Sequence, residues 1–477
     1  MGRAGGLGRG WGVIGAALSL GGCAVVGPDY VKPAAIVPAQ YKEIKGWKVS
    51  EPRDEYWKGA WWEVFHDPEL DALESQVAIS NQTLKADEAN YRQAQALIAE
   101  ARAQLFPTFT LNGSSNTANS GGGKPITTLS IDGDGSWTPD IWGKIRRAIE
   151  SQAAGAQATA ADLANAKLSA QASLASAYFQ LRETDSLHDL LDDTVRQYQR
   201  ALEITQNQYH AGTSARSDVI TAQALVLGAQ AQEINTGVAR AQFEHAIAVL
   251  MGRPPSGLSI PHGSLTHNPP HIPVRLPSTL LERRPDIAAA ERTMQEQNAQ
   301  IGVAIAGYYP DITLSGTLGA AATPGVASLI SNPVWSIGAS FAQTLFNGGL
   351  TDAQVAAARA LYEASVATYR QTVLAAFQQV EDNLVAVRVL AQEESVQVEA
   401  VRAANQAVQI ALNEYRAGTQ NFTTVVTNEA TALTNEESLL VTREQRVVAA
   451  VSLVVALGGG WTEAQLPAET AEPARTQ

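Results

Sequence analysis

Residues 373–415 read VLAAFQQVEDNLVAVRVLAQEESVQVEAVRAANQAVQIALNEY, and their apolar side recurs in alternating steps of four and three. Val373, Phe377, Val380, Leu384, Val387 and Ala391 open the series. Val398, Val401, Val408, Leu412 and Tyr415 continue it, with only Glu394 and Asn405 out of pattern. A seven-residue repeat held over six heptads predicts a helix supercoiled against partners. No proline falls between Pro333 and Pro467, so one helix can run unbroken over 349–415. At ~1.5 Å per residue it would be roughly 100 Å long, whereas an ordinary globular helix has about 11–12 residues.

The string that closes this helix, Tyr415-Arg-Ala-Gly-Thr, has a twin 206 residues earlier, Tyr209-His-Ala-Gly-Thr. Leu250-Met-Gly and Ala456-Leu-Gly keep the same offset, and Phe106-Pro-Thr-Phe-Thr-Leu precedes Tyr309-Pro-Asp-Ile-Thr-Leu by 203. Several matches in register predict a tandem duplication. The counterpart helix over 143–209 has its own seam at Leu174, Tyr178, Leu181, Leu191, Val195, Tyr198, Leu202 and Tyr209.

Ahead of each long helix the period changes from seven to two. Leu129, Ile131, Gly133, Gly135 and Trp137 alternate with Ser130, Asp132, Asp134, Ser136 and Thr138. Residues 309–320 and 335–342 alternate in the same way, and Phe109 and Leu111 begin a weaker fourth strand. Segments of about ten alternating residues with aromatic ends are the signature of outer-membrane barrel strands. Leu129, Ile131 and Trp137 then face lipid, which puts Asp132 and Asp134 on the lumen face. Two soluble hairpins packed on a core are the alternative. Each repeat reads helix, hairpin, very long helix, turn, helix. The first helix starts at Asp67 (N-cap) and Pro68 and runs to about Leu105.

Gly212 and Gly418 each follow a helix end, where a left-handed cap favours glycine. Thr213 or Ser214, and Thr419, are expected to cap the returning helices through their hydroxyls. Each turn thus closes an antiparallel helical hairpin roughly 100 Å from the strands. There a hydrogen bond from Tyr415 to Asp218 of a neighbouring hairpin would hold the tip shut. The alternative is that Tyr209 and Tyr415 simply fill the hairpin seams.

A chain of 477 residues with 45% hydrophobic content can bury a large core, and its net charge of −13 argues against nucleic acid and anionic lipid surfaces. Arg3 and Arg9, the apolar run Trp11–Leu20 and Gly21-Gly22 form a signal peptide over 1–22. The only cysteine, Cys23, follows at once and has no partner for an internal disulfide. The further divisions are an extended anchored segment (23–66), a first repeat (67–253), a Pro-rich connection (254–284), a second repeat (285–460) and a flexible tail (461–477). His262, His267 and His271 lie in the connection at spacings that fit no compact metal set. No nucleotide loop, nucleophile elbow or HExxH string is present, so neither an enzyme nor a metal centre is expected.

Leu-Gly-Gly-Cys23 resembles a bacterial lipobox, which implies a covalent lipid of the palmitate type on Cys23 as the only non-protein group, and Ala24 fits sorting to the outer membrane. Other motifs are Gly27-Pro28-Asp29-Tyr30, Trp61-Trp62 to Leu70, Leu276-Pro277-Ser278 running into Arg283-Arg284-Pro285-Asp286, Phe346-Asn347-Gly348-Gly349 and Leu457-Gly458-Gly459-Gly460-Trp461. In this order over a duplicated plan, the chain resembles the outer-membrane efflux factor family of the TolC type, specifically the NodT-like lipoproteins of RND pumps. The resemblance implies a mainly α protein with a β membrane segment. Three copies would close a 12-stranded transmembrane β-barrel on a long coiled-coil α-barrel. It implies a homotrimer that docks a periplasmic adaptor (membrane fusion) protein and an inner-membrane RND transporter. The channel would passively conduct drugs or other small toxic compounds across the outer membrane, a role in multidrug resistance. Metal-ion efflux and type I secretion use similar ducts and stay open, as does a lipid-tethered periplasmic structural coiled coil. Similar proteins often carry aspartates nine and twelve residues beyond the second turn's tyrosine, at the periplasmic gate. Here those positions are Thr424 and Thr427, while Asp218 stands nine residues beyond Tyr209.

Overall fold

The two long helices are equal in length: α3 spans Lys144–His210 and α6 spans Leu350–Arg416, 67 residues each. Each returns through a tight turn into a 35-residue helix, α4 (Arg216–Leu250) and α7 (Phe422–Ala456). The same offsets hold for the shorter pieces. Helix α2 (Gln82–Ala103) has its counterpart in α5 (Pro285–Ala306), and strands β1 (Thr108–Ala118) and β2 (Ile126–Trp137) have theirs in β3 (Asp311–Ala322) and β4 (Pro333–Ala342). This computed structural model describes residues 25–35, 37–44, 60–119, 121, 123–265, 270, 272, 281–322 and 333–467. The expected signal peptide, Cys23, His267, His271 and the end of the tail lie outside the described residues. The chain divides into two compact units, one built around the strands (99–151 and 297–360 with residues 25–30) and one built from the helices.

In the strand unit the two hairpins join into one antiparallel sheet, ordered β1-β2-β3-β4. Pairing of β2 with β3, through Asp134↔Thr317 and Trp137↔Leu314, joins the repeats to one another. Alternation then sorts the side chains. Phe109, Leu111, Ile131, Leu318, Trp335 and Ile337 stand on one face, each more than half exposed. Around the strand ends, Trp142 stacks on Tyr309 (4.9 Å) and donates its indole N–H to Pro310 O. The Gly27-Pro28-Asp29-Tyr30 motif docks here. The buried Arg147 guanidinium donates to Val26 O, Gly27 O and Asp29 Oδ1, and Asn298 Nδ2 donates to Pro28 O.

In the helical unit the Trp61–Phe65 turn buries Trp61, Trp62 and Phe65, with Phe65 against Phe179 at 5.1 Å. Asp67 caps α1 (Pro68–Ser80) by accepting from Glu69 N and Leu70 N, and it also accepts the Tyr178 hydroxyl at 2.7 Å. The single helix expected from Pro68 to Leu105 is broken at Asn81. This side chain accepts from Thr83 N and Leu84 N, which starts α2 afresh, and its amide donates to Leu250 O at the end of α4. The second repeat makes the same joint with Arg284, whose guanidinium caps Ala456 O at the end of α7. Both joints admit only glycine. A Cβ on Gly252 would sit 2.1 Å from Ser80 O, and one on Gly458 2.2 Å from Arg283 O, both at positive φ.

The seam of α6 is buried at Val373, Phe377, Val380, Leu384, Val387 and Val408. Its two irregular positions have partners on α7. Glu394 accepts from Arg443 Nε (3.0 Å) and Arg446 (2.6 Å), and Asn405 donates to Glu436 Oε1 (2.7 Å). Burial penalises the Glu394 charge, but the two guanidiniums outweigh it and hold the carboxyl below the ordinary range.

Candidate functional site

Two places carry the residues singled out for function, the polar face of the sheet and the turns of the helical hairpins. On the sheet, Asp132 and Asp134 share one face, as the alternation predicts. Asp134 is clasped from both sides, accepting from Asn112 Nδ2 on β1 and Thr317 Oγ1 on β3, each at 2.7 Å. Asp132 lies over the backbone of Gly319, where a Cβ would come within 2.2 Å of its carboxylate. Asn112 and Thr317 were not read from the sequence. They become visible once the register is known, because Thr110 and Thr317 flank Asp134 directly and Asn112 is diagonal to it.

At the turns, Gly212 (φ +75°) and Gly418 (φ +73°) adopt the expected left-handed conformation. Gly212 N donates to Tyr209 O and Thr213 N to Gln208 O; Gly418 N and Thr419 N repeat the pattern to Tyr415 O and Glu414 O. The threonines correct the expectation. Thr213 Oγ1 and Thr419 Oγ1 donate backwards, to Gln208 O and Glu414 O, each at 3.0 Å. A hydroxyl beside a helix C-terminus meets unsatisfied carbonyls before it meets the next helix's N–H groups. The returning helices start at Ala215, which makes no side-chain cap, and at Asn421, whose Oδ1 accepts from Thr424 N. Asn421 could have been read from the sequence, since asparagine before a hydrophobic run is a preferred N-cap.

Tyr415 is 6% exposed and belongs to an apolar cluster with Ala201, Ala222, Ala411, Phe422 and Val425, drawn from α3, α4, α6 and α7. Its ring tilts against Phe422 at 5.2 Å. The expected direct bond from Tyr415 to Asp218 is absent within the chain, because Ser214 stands between them. The Ser214 hydroxyl donates to Asp218 Oδ2 at 2.9 Å and lies 3.4 Å from the Tyr415 hydroxyl, with Thr205 Oγ1 at 3.5 Å. Tyr209, by contrast, is 43% exposed and fills no seam. Helical geometry turns it out of the cluster, where it lies beside His210. Thr427 Oγ1 returns to Thr423 O within α7, and Thr424 is held by the Asn421 cap.

One turn beyond Val425 on α7, Glu429 is buried and its Oε2 has no hydrogen-bond partner among the described residues. Burial alone pushes its carboxyl up to about 7. Glu74 on α1 is fully enclosed, and burial lifts it to about 9. Neither acid had a signal in the sequence. His262 is bound between Asp185 (3.3 Å) and Asp189 (2.9 Å) on α3. With Gly263 N on Asp185 and Ser264 Oγ on Asp189, it fastens the connection to α3.

A duplicated pair of very long helices carrying a sheet with one apolar and one polar face defines an outer-membrane channel of the TolC type. The chain belongs to the outer membrane efflux protein family, whose model matches residues 73–253 and 276–459. It is 28% identical over 466 residues to the probable efflux pump outer membrane protein TtgC of Pseudomonas putida, covering 94% of each chain. Nodulation protein T of Rhizobium leguminosarum bv. trifolii is 30% identical over 415 residues, 85% of this chain and 86% of that one. Among solved structures it resembles the outer-membrane channel OprN, with a TM-score of 0.84 and 28% identity over 91% of this chain and 99% of that one. It is therefore an efflux channel of the outer membrane, and its relatives are channels rather than enzymes.

Proposed function

We propose that three copies of this chain close into the exit duct of a tripartite RND-type pump. The duct takes drugs or other small toxic compounds from an inner-membrane transporter through a periplasmic adaptor to the outside. The observation that carries this reading is the four-stranded sheet itself. It has one apolar face and two outer edges, on β1 and β4, with no strand beyond them among the described residues. In lipid each orphan edge group costs several kcal/mol, and closed barrels start at about eight strands. Three chains supply twelve strands and leave no edge. The polar face, with Asp132 and Asp134, then lines the bore. The hairpin turns at Gly212 and Gly418 form the periplasmic tip, where Tyr209, Thr213 and Thr419 are open to an adaptor. The Tyr415 cluster keeps the resting tip narrow, with Asp218 joined to it through Ser214. Thr424 and Thr427 leave α7 without an acid at this entrance, where Asp218 stands on α4. A covalent lipid on Cys23 holds the N-terminal segment at the membrane.

Native mass spectrometry of the detergent-solubilised protein and single-channel recording in a planar bilayer test the reading. It expects a trimer that conducts, with low resting conductance. A monodisperse folded monomer, or a trimer that never conducts, would sink it.

A further inference from the structure

Two stations on the seam of α6 have polar counterparts on α3. Val373 and Phe377 are buried, and Tyr41 packs edge-on against the Phe377 ring at 6.4 Å. The duplicate positions, 206 residues earlier, are Lys167 and Gln171. Gln171 is 3% exposed, yet its Nε2 has no hydrogen-bond partner among the described residues. Lys167 is exposed and lies one helical turn away on the same side of α3. A buried amide donor without an acceptor destabilises a fold. Where the other repeat keeps an apolar pair, this exchange points to a group from outside that accepts from both side chains.

Both side chains line one cavity of about 290 Å³ between α3 and the loop that follows α7. The loop itself leaves the space. Gly458, Gly459 and Gly460 all have positive φ, so three successive residues carry no side chain. Gly459 passes so close to α3 that a Cβ would stand 2.3 Å from Leu168 Cδ1. The first repeat has Gly252-Arg253-Pro254 at these positions, with bulk in place of two of the glycines. The remaining walls are apolar, Leu163 and Leu168 on α3 and Trp461 and Leu466 beyond the loop. At this height α3 has neighbours from its own chain on both flanks. Ala288 and Ala289 of α5 pack against Ala161, and Asp87 of α2 lies close enough to Asp162 to help raise its carboxyl above the ordinary range, after burial. The cavity is built by one chain.

We infer that this cavity binds an amphiphilic monocarboxylate, its carboxylate on Lys167 Nζ and Gln171 Nε2 and its apolar body between Leu163, Leu168, Trp461 and Leu466. The chemistry selects the class. Two donors a turn apart, one of them charged, suit an anion with more than one acceptor atom, and charge-assisted hydrogen bonds are the strong ones. A carboxylate offers two oxygens and no donor of its own. A bare inorganic anion would give up its water to apolar walls and gain only two donors. At ~30 Å³ for each water-sized group the space holds about ten heavy atoms, a carboxylate with a tail of about eight carbons in all. The occupant would bridge α3 to the end of α7, and a ligand held only by the folded chain stabilises it. Each chain carries a whole site, so the inference goes beyond the duct and does not depend on the trimer.

Isothermal titration of the full-length protein in nanodiscs with sodium octanoate tests the site, with empty nanodiscs as the blank. One octanoate should bind per chain. Octanol and octylamine keep the tail and change the head, and should bind about tenfold more weakly or worse. Lys167→Met and Gln171→Leu should each weaken octanoate by about tenfold or more. The lysine is exposed, so its variant keeps the test decisive if the buried substitution fails to fold. Heat no greater than that of empty nanodiscs overturns the site. Equal binding of the three heads, or octanoate binding that neither substitution changes, reduces it to apolar partition and overturns it as well. Binding that appears only after deletion of residues 468–477 gives the cavity to the chain's own tail and overturns a free ligand.

Discussion

Tyr415 carries two separable contributions, a ring packed on Phe422 and a hydroxyl at the long end of hydrogen-bonding distance from Ser214 and Thr205. Net hydrogen bonds contribute about 1 kcal/mol, and less at such lengths, while removing a buried aromatic ring costs about 3–5 kcal/mol. Tyr415→Phe should therefore keep resting conductance within about twofold of wild type by single-channel recording, and Tyr415→Ala should leak. A leak in Tyr415→Phe that is non-additive with Asp218→Asn would return the hydroxyl to the leading role. Glu429 makes the helices pH-sensitive. Its folded pKa of about 7 lies above the ordinary carboxylate value of 4.5. The folded state thus holds the proton more tightly, and its stability is complete below pH 4.5 and declines as pH rises to about 7. The span is about 3 kcal/mol at 1.36 kcal/mol per unit. Glu429→Gln should flatten the dependence of thermal stability on pH between 5 and 8, and it should melt higher than wild type at pH 8. Parallel curves for the two proteins would show that the acid is hydrated or paired. A buried acid leaves no mark in a sequence, because its burial is decided by α3 packing over it and not by its neighbours along α7.

At the scale of elements, the long helices and strands were legible because their periods, seven and two, are carried by local residue order. The breaks were less legible. Nothing in Ile79-Ser80-Asn81-Gln82 forbids a helix, and Asn81 ends one because Leu250 O, 169 residues away, is there to accept its amide. The irregular Glu394 and Asn405 looked like flaws for the same reason, since Arg443, Arg446 and Glu436 approach only when α7 folds back. The threonines of the turns were read in the wrong direction because a hydroxyl can serve either of the helices it separates. The glycine joints are the sharpest test of these contacts. Gly458→Ala would force a methyl to within 2.2 Å of Arg283 O at a φ of +95°. A positive φ alone costs roughly 1–2 kcal/mol for an L-residue. The substitution should lower the melting temperature more than Gly228→Ala, which meets open space in the lone chain. Equal effects would mean that the joint relaxes freely.

At the scale of the assembly, the proposed trimer would bring the two aspartates of each chain together as six carboxylates around one bore. Rings of acidic side chains favour cations. Replacing Asp132 and Asp134 together with asparagine should move the reversal potential in a salt gradient toward zero. An unchanged potential would place both acids in the wide mouth, away from the conducting path. Which compound travels through the channel is written neither in its strands nor in its turns, because a passive duct needs only a polar lining and an exit.

The pairing of β2 with β3 has a last consequence. Within one chain the second strand of the first repeat meets the first strand of the second. Where chains join, β4 of one would meet β1 of the next, again a second strand against a first. The ring then consists of six near-equivalent hairpins with a pseudo-sixfold axis, and its strands do not distinguish a covalent junction from a non-covalent one. Such a ring has no privileged place for its chain ends. A circular permutant that opens at Pro285 and closes at Arg253 would lay down the same six hairpins in a different order, and an ancestor with a single repeat could have built the same wall from six separate chains.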